Sequence, residues 1–263
     1  MHPETLTALF IGCVVVAVHL FVSILVVDLR RRLATKFTVL FLALTVINIA
    51  NYLLFWVTVR LNGEPFFWFF YEAVRDVPAV KTIFNFFFYF LKFEQHVCAF
   101  LISAHTYLSI SHSFIAKWRY YLFPLLVVAS NAVSIILTIL IICMNQITYA
   151  YNPVLGQFKS NWPTQTTDYA VICRVIFTIV MFIMCTGLNI LSLHKLRSRT
   201  FRMRKKAEVA IIIISSAIFV GQLCSIAITL AFNGLQLVGQ IAASYTIQPY
   251  VAIVGDIFSF GPA

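Results

Sequence analysis

Seven times along this chain, about 20 or more predominantly apolar residues follow one another, over approximately 6–27, 37–59, 83–110, 120–143, 169–193, 209–232 and 241–263. A run of that length is what one helix needs to cross the roughly 30 Å hydrocarbon layer of a bilayer. Within hydrocarbon a backbone must satisfy its own N–H and C=O groups, which leaves only helices and closed barrels. Barrel strands alternate apolar and polar residues over about ten positions, whereas these runs are continuous. The expected fold class is therefore all-α, a polytopic membrane protein with one seven-transmembrane helix bundle over 1–263.

The composition excludes the soluble alternative. Hydrophobic residues make up 61% of the chain and charged residues 11%, with a mean hydropathy of +0.93. No soluble core could hide that much apolar surface. The formal net charge of +10 would suggest nucleic acid if it were spread over one face. Most of it sits in short segments between apolar runs, so it reports orientation and attraction to membrane lipids, with no nucleic-acid partner.

The segment that fixes orientation is His194 to Glu208, HKLRSRTFRMRKKAE. It packs Lys195, Arg197, Arg199, Arg202, Arg204, Lys205 and Lys206 against the single acid Glu208. Under the positive-inside rule it is a cytoplasmic loop. Alternation then places Arg30 to Lys36 and Lys117 to Arg119 inside as well. Inner loops hold 13 Lys or Arg against 4 in outer segments, which puts the N-terminus outside the cell. The first run has no basic residue before it and exceeds a signal peptide's apolar core, so it reads as an uncleaved first span.

The outer loops differ in kind. Arg60 to Lys81 balances three bases with three acids and carries Pro65, Pro78 and the aromatic run FFWFFY, suited to the headgroup level. Met144 to Asp168 is a polar loop with Pro and Asn residues. The six cysteines lie within or at the ends of apolar runs and read as small buried hydrophobes. Cys143 and Cys173 fall near the outer ends of adjacent spans, where a bridge is conceivable.

Catalytic signatures are missing: no His-Glu-x-x-His, no Gly-x-Ser-x-Gly and no phosphate-cradling glycine loop. His105 and His112 share a helical face without a third ligand, so no metal and no cofactor are expected, and no enzyme. The third run is the most polar, holding Lys92, Glu94, Gln95, His96 and His105. Lys92 and His96 share a helical face while Glu94 lies nearly opposite. A charge at bilayer depth costs roughly 2.5 to 3.5 kcal/mol, so at least one of these should line a solvated cavity or find a partner. Lys92, Glu94 and His96, with Arg174 of the fifth run and Gln222 of the sixth, are therefore candidates to line a ligand pocket in the outer half of the bundle. Asn48 and Asn51, three apart, and Asp256 of the seventh run form a candidate polar core between helices.

Three stretches carry a resemblance: AHTYLSISHSFIAKWRYY at the end of the third run, LRSRTFRMRKKAEVAIIIISSAIF leading into the sixth, and YVAIVGDIFSFGP in the seventh. Together with seven spans and a basic third inner loop, they resemble the nematode serpentine seven-transmembrane chemoreceptors of the class gamma and class V type, within the G-protein-coupled receptor superfamily. The resemblance implies a small-molecule ligand and a heterotrimeric G protein as partners. It assigns the inner face to His105, Thr106 and Tyr107 with the basic residues Arg197, Arg199, Arg202, Arg204, Lys205 and Lys206. In relatives the third span ends in a pair containing Arg; His105 and Thr106 stand in its place. Asp256 and Pro262 match the Asp and Pro of the family's seventh span. The alternatives are a small transporter or channel whose intramembrane charges mark a solute path, and a truncated relative that does not signal. The outer disulfide common in such receptors is not expected, since the loop Met144 to Asp168 has no cysteine.

Overall fold

The computed structural model describes residues 35–61, 64–110, 115–144, 146–153, 156–161 and 164–197, together with Cys13, Ala17, Leu20, Phe21, Ser23, Ile24, Val220 and Ala227. The first, sixth and seventh apolar runs therefore lie largely or wholly outside the described residues, as do Gln222, Asp256 and the basic residues from Arg199 to Lys206.

Helix α1 spans Thr35–Phe55 and widens into a π-helical turn at Trp56–Arg60. Its buried face runs Phe37, Phe41, Leu44, Asn48 and Tyr52, while Val39, Val46 and Leu53 point outward at intervals of seven. That is the stripe a helix needs when one side meets protein and the other hydrocarbon. Ser23, helical in its own segment, reaches Thr45 of α1 through a 3.0 Å hydroxyl–hydroxyl contact.

A short 3-10 turn at Pro65–Phe67 leads into α2, Trp68–Asp76, which is closed by an exposed Arg75–Asp76 pair at 2.7 Å. Val77 is extended, the conformation favoured before a proline, and Pro78 then occupies the first turn of α3, where its missing N–H is harmless.

Helix α3, Pro78–Ile110, organises the bundle. Its 33 residues are about 50 Å long, well beyond the hydrocarbon thickness. It packs against α1, against α4 at Ile115–Met144 and against α5 at Thr164–Arg197. Every residue from Val97 to Thr106 is buried. A helix wrapped by others need not present apolar side chains to lipid, which is why α3 tolerates the polar residues its neighbours lack. The three described helices apolar and long enough to cross a membrane are the surrounding ones, Phe37–Thr58, Leu122–Met144 and Val175–Lys195.

Close approach to α3 comes from small polar residues. Ser130, Ser134 and Thr138 line the buried face of α4 at intervals of four, and each hydroxyl donates to the carbonyl four residues earlier. With their polarity satisfied locally, these side chains let two backbones come together without a bulky group between them. On α5 the inward series is Thr178, Met181, Cys185, Asn189 and Ser192, against the outward Ile176, Ile183 and Ile190.

The second outer loop, expected to be an irregular polar segment, contains a hairpin. Thr148–Asn152 (β1) and Gln157–Asn161 (β2) pair antiparallel, with Tyr151 opposite Phe158. Gly156 in the turn has φ 61°, a left-handed conformation that suits glycine. The hairpin and α2 form an aromatic cap on the outer end, where the Tyr71 ring lies 4.8 Å from Tyr149 and 5.6 Å from Phe158. The hydroxyls of Tyr71 and Tyr149 donate to the carbonyls of Val57 and Thr58 in the π-helical turn. Burial pushes both phenols far above their ordinary range, so both remain neutral donors.

The cysteine expectation divides. Cys98 and Cys185 are buried among apolar neighbours, but Cys13 and Cys143 are exposed. Cys143 and Cys173 are both free thiols, so the conceivable bridge is absent.

Candidate functional site

Two contacts set the level of α1 against the antiparallel α3. The Phe37 ring lies 6.3 Å from the His105 ring, and Asn51 Nδ2 donates to the Leu91 carbonyl at 2.9 Å. The residue numbers in both pairs add to the same total, so Glu94 stands level with Asn48. That level is the middle of the span Phe37–Thr58 and also the midpoint of α3.

At this depth three consecutive residues of α3 turn toward three different helices. Glu94 is 4% exposed, with Ser134 of α4 against its carboxyl group. Gln95 Oε1 accepts from Asn51 Nδ2 of α1 at 3.4 Å. His96 Nε2 lies 3.4 Å from the Thr178 hydroxyl of α5. The helical step of about 100° per residue explains the fan, since 3.6 residues complete a turn. Among the described residues, Glu94 Oε1 and Asn48 Oδ1 have no hydrogen-bond partner although both side chains are buried. Such atoms in an apolar interior are unfavourable unless a ligand, water or further chain completes them.

Lys92 folds back along its own helix, its Nζ 3.8 Å above the ring of Phe88, one turn nearer the outer end. The ring face thus supports the cation. The side chain of Arg174 lies outside the described residues, although its backbone continues α5.

Lys92, Glu94 and His96 thus do not all turn in one direction, as their spacing on one helix implies. Glu94 and His96 belong to a midplane layer that also contains Asn48 and Asn51, so these two ligand-pocket candidates share a level with these two polar-core candidates. The members absent from the sequence-based selection are Gln95, Ser134 and Thr178. Their signal was polar residues at intervals of four in otherwise apolar runs, as in Ser130, Ser134 and Thr138.

The inner end is closely packed. His105 is 2% exposed, between the Phe37 ring and the Phe123 ring, the latter at 5.5 Å. Thr106 is buried and its hydroxyl donates to the Ile102 carbonyl at 2.8 Å. Both side chains are enclosed, and the imidazole packs between two aromatic rings. Tyr107 is half-buried and lies under Lys195 of α5, whose Nζ is 4.9 Å from the ring centroid. One turn deeper, Asn189 Nδ2 donates to the Ser103 hydroxyl at 3.3 Å, a second tie between the same two helices. Arg197 ends α5, with its side chain outside the described residues.

Among the described residues no group of His, Cys, Asp or Glu is arranged to hold a metal ion. No curated protein matches the chain in sequence. The family model described as Srg family chemoreceptor matches residues 5–263, which is nearly the whole length. A polar layer at the midplane of a helix bundle, a buried central helix and a match of this extent have one common reading: the chain belongs to the Srg family of nematode serpentine chemoreceptors, a seven-transmembrane receptor family.

Proposed function

We propose that this membrane protein is a chemosensory receptor of the plasma membrane that binds a small molecule within its helix bundle and signals to a heterotrimeric G protein. Membership of a chemoreceptor family implies a receptor and not an enzyme. The observation that carries the rest is the fan of Glu94, Gln95 and His96, through which one stretch of α3 touches α4, α1 and α5. A small molecule that hydrogen-bonds Glu94 or His96 exchanges a helix–helix contact for a helix–ligand contact. It shifts the bundle only to the extent that it binds two helix arrangements differently.

The same α3 and α5 meet again at the inner end, through Asn189 on Ser103 and Lys195 over Tyr107. A change in how these helices pack at the midplane is thus carried to the root of the basic segment Arg197 to Lys206, the surface assigned to the G protein. Lys92, Arg174 and Gln222 remain candidates for ligand contact above or around the layer, and Asp256 for its completion.

The test expresses the full chain with an outer N-terminal tag and records surface labelling and G-protein-dependent signalling across a panel of small molecules. A response is expected, and Glu94→Gln and His96→Gln should each shift its half-maximal concentration by about tenfold, the loss of one buried hydrogen bond, at unchanged surface labelling. A labelled surface protein without any G-protein-dependent response would overturn the receptor reading. A response identical in both variants would remove the midplane layer as its site.

A further inference from the structure

A cavity lies away from the midplane fan. It has a volume of about 520 Å³ and lies between α1 and the outer half of α3, under the loop that joins α1 to α2. Leu54 and Val57 form one wall, Phe84 and Phe87 the other, and Phe67 and Phe70 close it toward the outer surface. The lining is apolar throughout, so nothing in it can orient a polar ligand.

Its depth and openings define what can enter. From Ala50 to Val57 the groove covers about 10 Å of helix rise, from just above the midplane layer to the outer end of the span. That is the level of the outer leaflet's hydrocarbon. Leu53 and Ile83, on opposite walls, are 57% and 58% exposed, so the groove opens sideways between two helices. Access from above passes the aromatic roof, and Phe66 and Phe69 beside it are exposed at headgroup level. Asn51, bonded to the Leu91 carbonyl and to Gln95, closes the inner end. At the outer rim Lys81 follows the lining residue Val80, one turn above Phe84.

We infer that this groove binds the acyl chain of an outer-leaflet phospholipid, with the lipid phosphate near Lys81. A hydrocarbon chain is the ligand a bilayer supplies at that depth, and it needs no hydrogen-bond partner. Lys81, next in sequence to the lining residue Val80, supplies a cation at the level of the headgroup phosphates. The occupied groove wedges α1 and α3 apart just above the Asn51–Gln95 contact, so lipid composition would bear on the packing of the layer below.

The full chain in nanodiscs containing a phosphatidylcholine with a diazirine along its acyl chain provides the test. On illumination, crosslinks should concentrate on Leu53–Val57 and Ile83–Leu91. Their yield should exceed that on the outward stripe Val128–Ile139 of α4 by about tenfold, the ratio that 1.4 kcal/mol of preferential binding gives. Ala50→Phe, which fills the inner part of the groove, should bring the yield down to that of the stripe. Equal labelling of groove and stripe in the unmodified chain would mean ordinary boundary lipid and overturn the proposal, as would an unlabelled groove beside a labelled stripe, which would mean another occupant. Both readouts come from the unmodified chain, so the test stands even if the variant does not fold.

Discussion

Asn85 and Ile147, 62 residues apart in the chain, exchange two hydrogen bonds: the Ile147 N–H donates to Asn85 Oδ1 at 2.8 Å, and Asn85 Nδ2 donates to the Ile147 carbonyl at 3.1 Å. One amide side chain on the outer part of α3 thus satisfies both backbone groups of a buried residue at the entrance to the hairpin. It ties the second outer loop to the third span in a loop that carries no cysteine. The tie is noncovalent, and it seats Tyr149 against Tyr71.

Asn85→Ala should therefore do more than remove one contact. Both Ile147 backbone groups would be left buried without partners, at about 1–3 kcal/mol each. The expected outcome is a fall in thermal midpoint and faster proteolysis between Asn152 and Gln157. Asn85→Asp, which keeps the acceptor for the Ile147 N–H, should lose less. Equal loss in the two variants would show that the N–H bond contributes nothing.

The cap also predicts a pH dependence. Burial raises the phenol pKa of Tyr71 and Tyr149 above the ordinary value of 10.0. Both groups stay protonated in the folded protein after unfolded-state phenols begin to ionise. Their contribution is fully present below pH 10 and is lost as pH rises beyond it toward the folded values. Thermal midpoints measured in nanodiscs from pH 8 to pH 11 should fall at the alkaline end. The fall should be smaller in the Tyr71→Phe, Tyr149→Phe double variant, and an unchanged slope would place its origin elsewhere.

What could be read from the sequence follows the length scale of the signal. A bilayer sets a 20-residue signal, so the apolar runs, the helices under the second to the fifth of them and the receptor family were legible. The hairpin was not: Thr148–Asn152 holds two tyrosines in a polar loop, and its order comes from Asn85, Tyr71 and Thr58, which are distant in sequence. Spacing on α3 identified Glu94 and His96 as facing apart but could not supply their partners on α4 and α5. The family resemblance puts His105 at an Arg position of the inner face, and the sequence carries no sign that Phe37 and Phe123 enclose it. Sequence places a residue on a helix face; which neighbour that face meets is decided by packing.

Ser134 offers a probe of that packing. It is fully buried on α4, opposite α3 and against Glu94. Ser134→Ala keeps the close approach and forfeits one hydrogen bond, about 1 kcal/mol. Ser134→Leu must separate the helices or force strained rotamers, about 1–3 kcal/mol. The ratio of surface-labelled to total protein should order wild type, Ala and Leu accordingly. A well-expressed Ser134→Leu variant would mean that α4 is not tightly seated on α3.

Orientation rests on charge bias and is checked by a single thiol. Cys143 is exposed at the end of the span Leu122–Met144, beside the hairpin, whereas Cys98 and Cys185 are buried in the bundle. With the N-terminus outside, that end of α4 faces the medium. In a variant that keeps Cys143 and has the other cysteines replaced by Ala, a membrane-impermeant maleimide should label intact cells. The corresponding variants keeping only Cys98 or only Cys185 should stay unlabelled even after permeabilisation, because their sulfurs are enclosed by packed side chains. Labelling of Cys143 only after permeabilisation would invert the topology. It would also move the basic segment from Arg197 onward to the outside, where it could not meet a G protein.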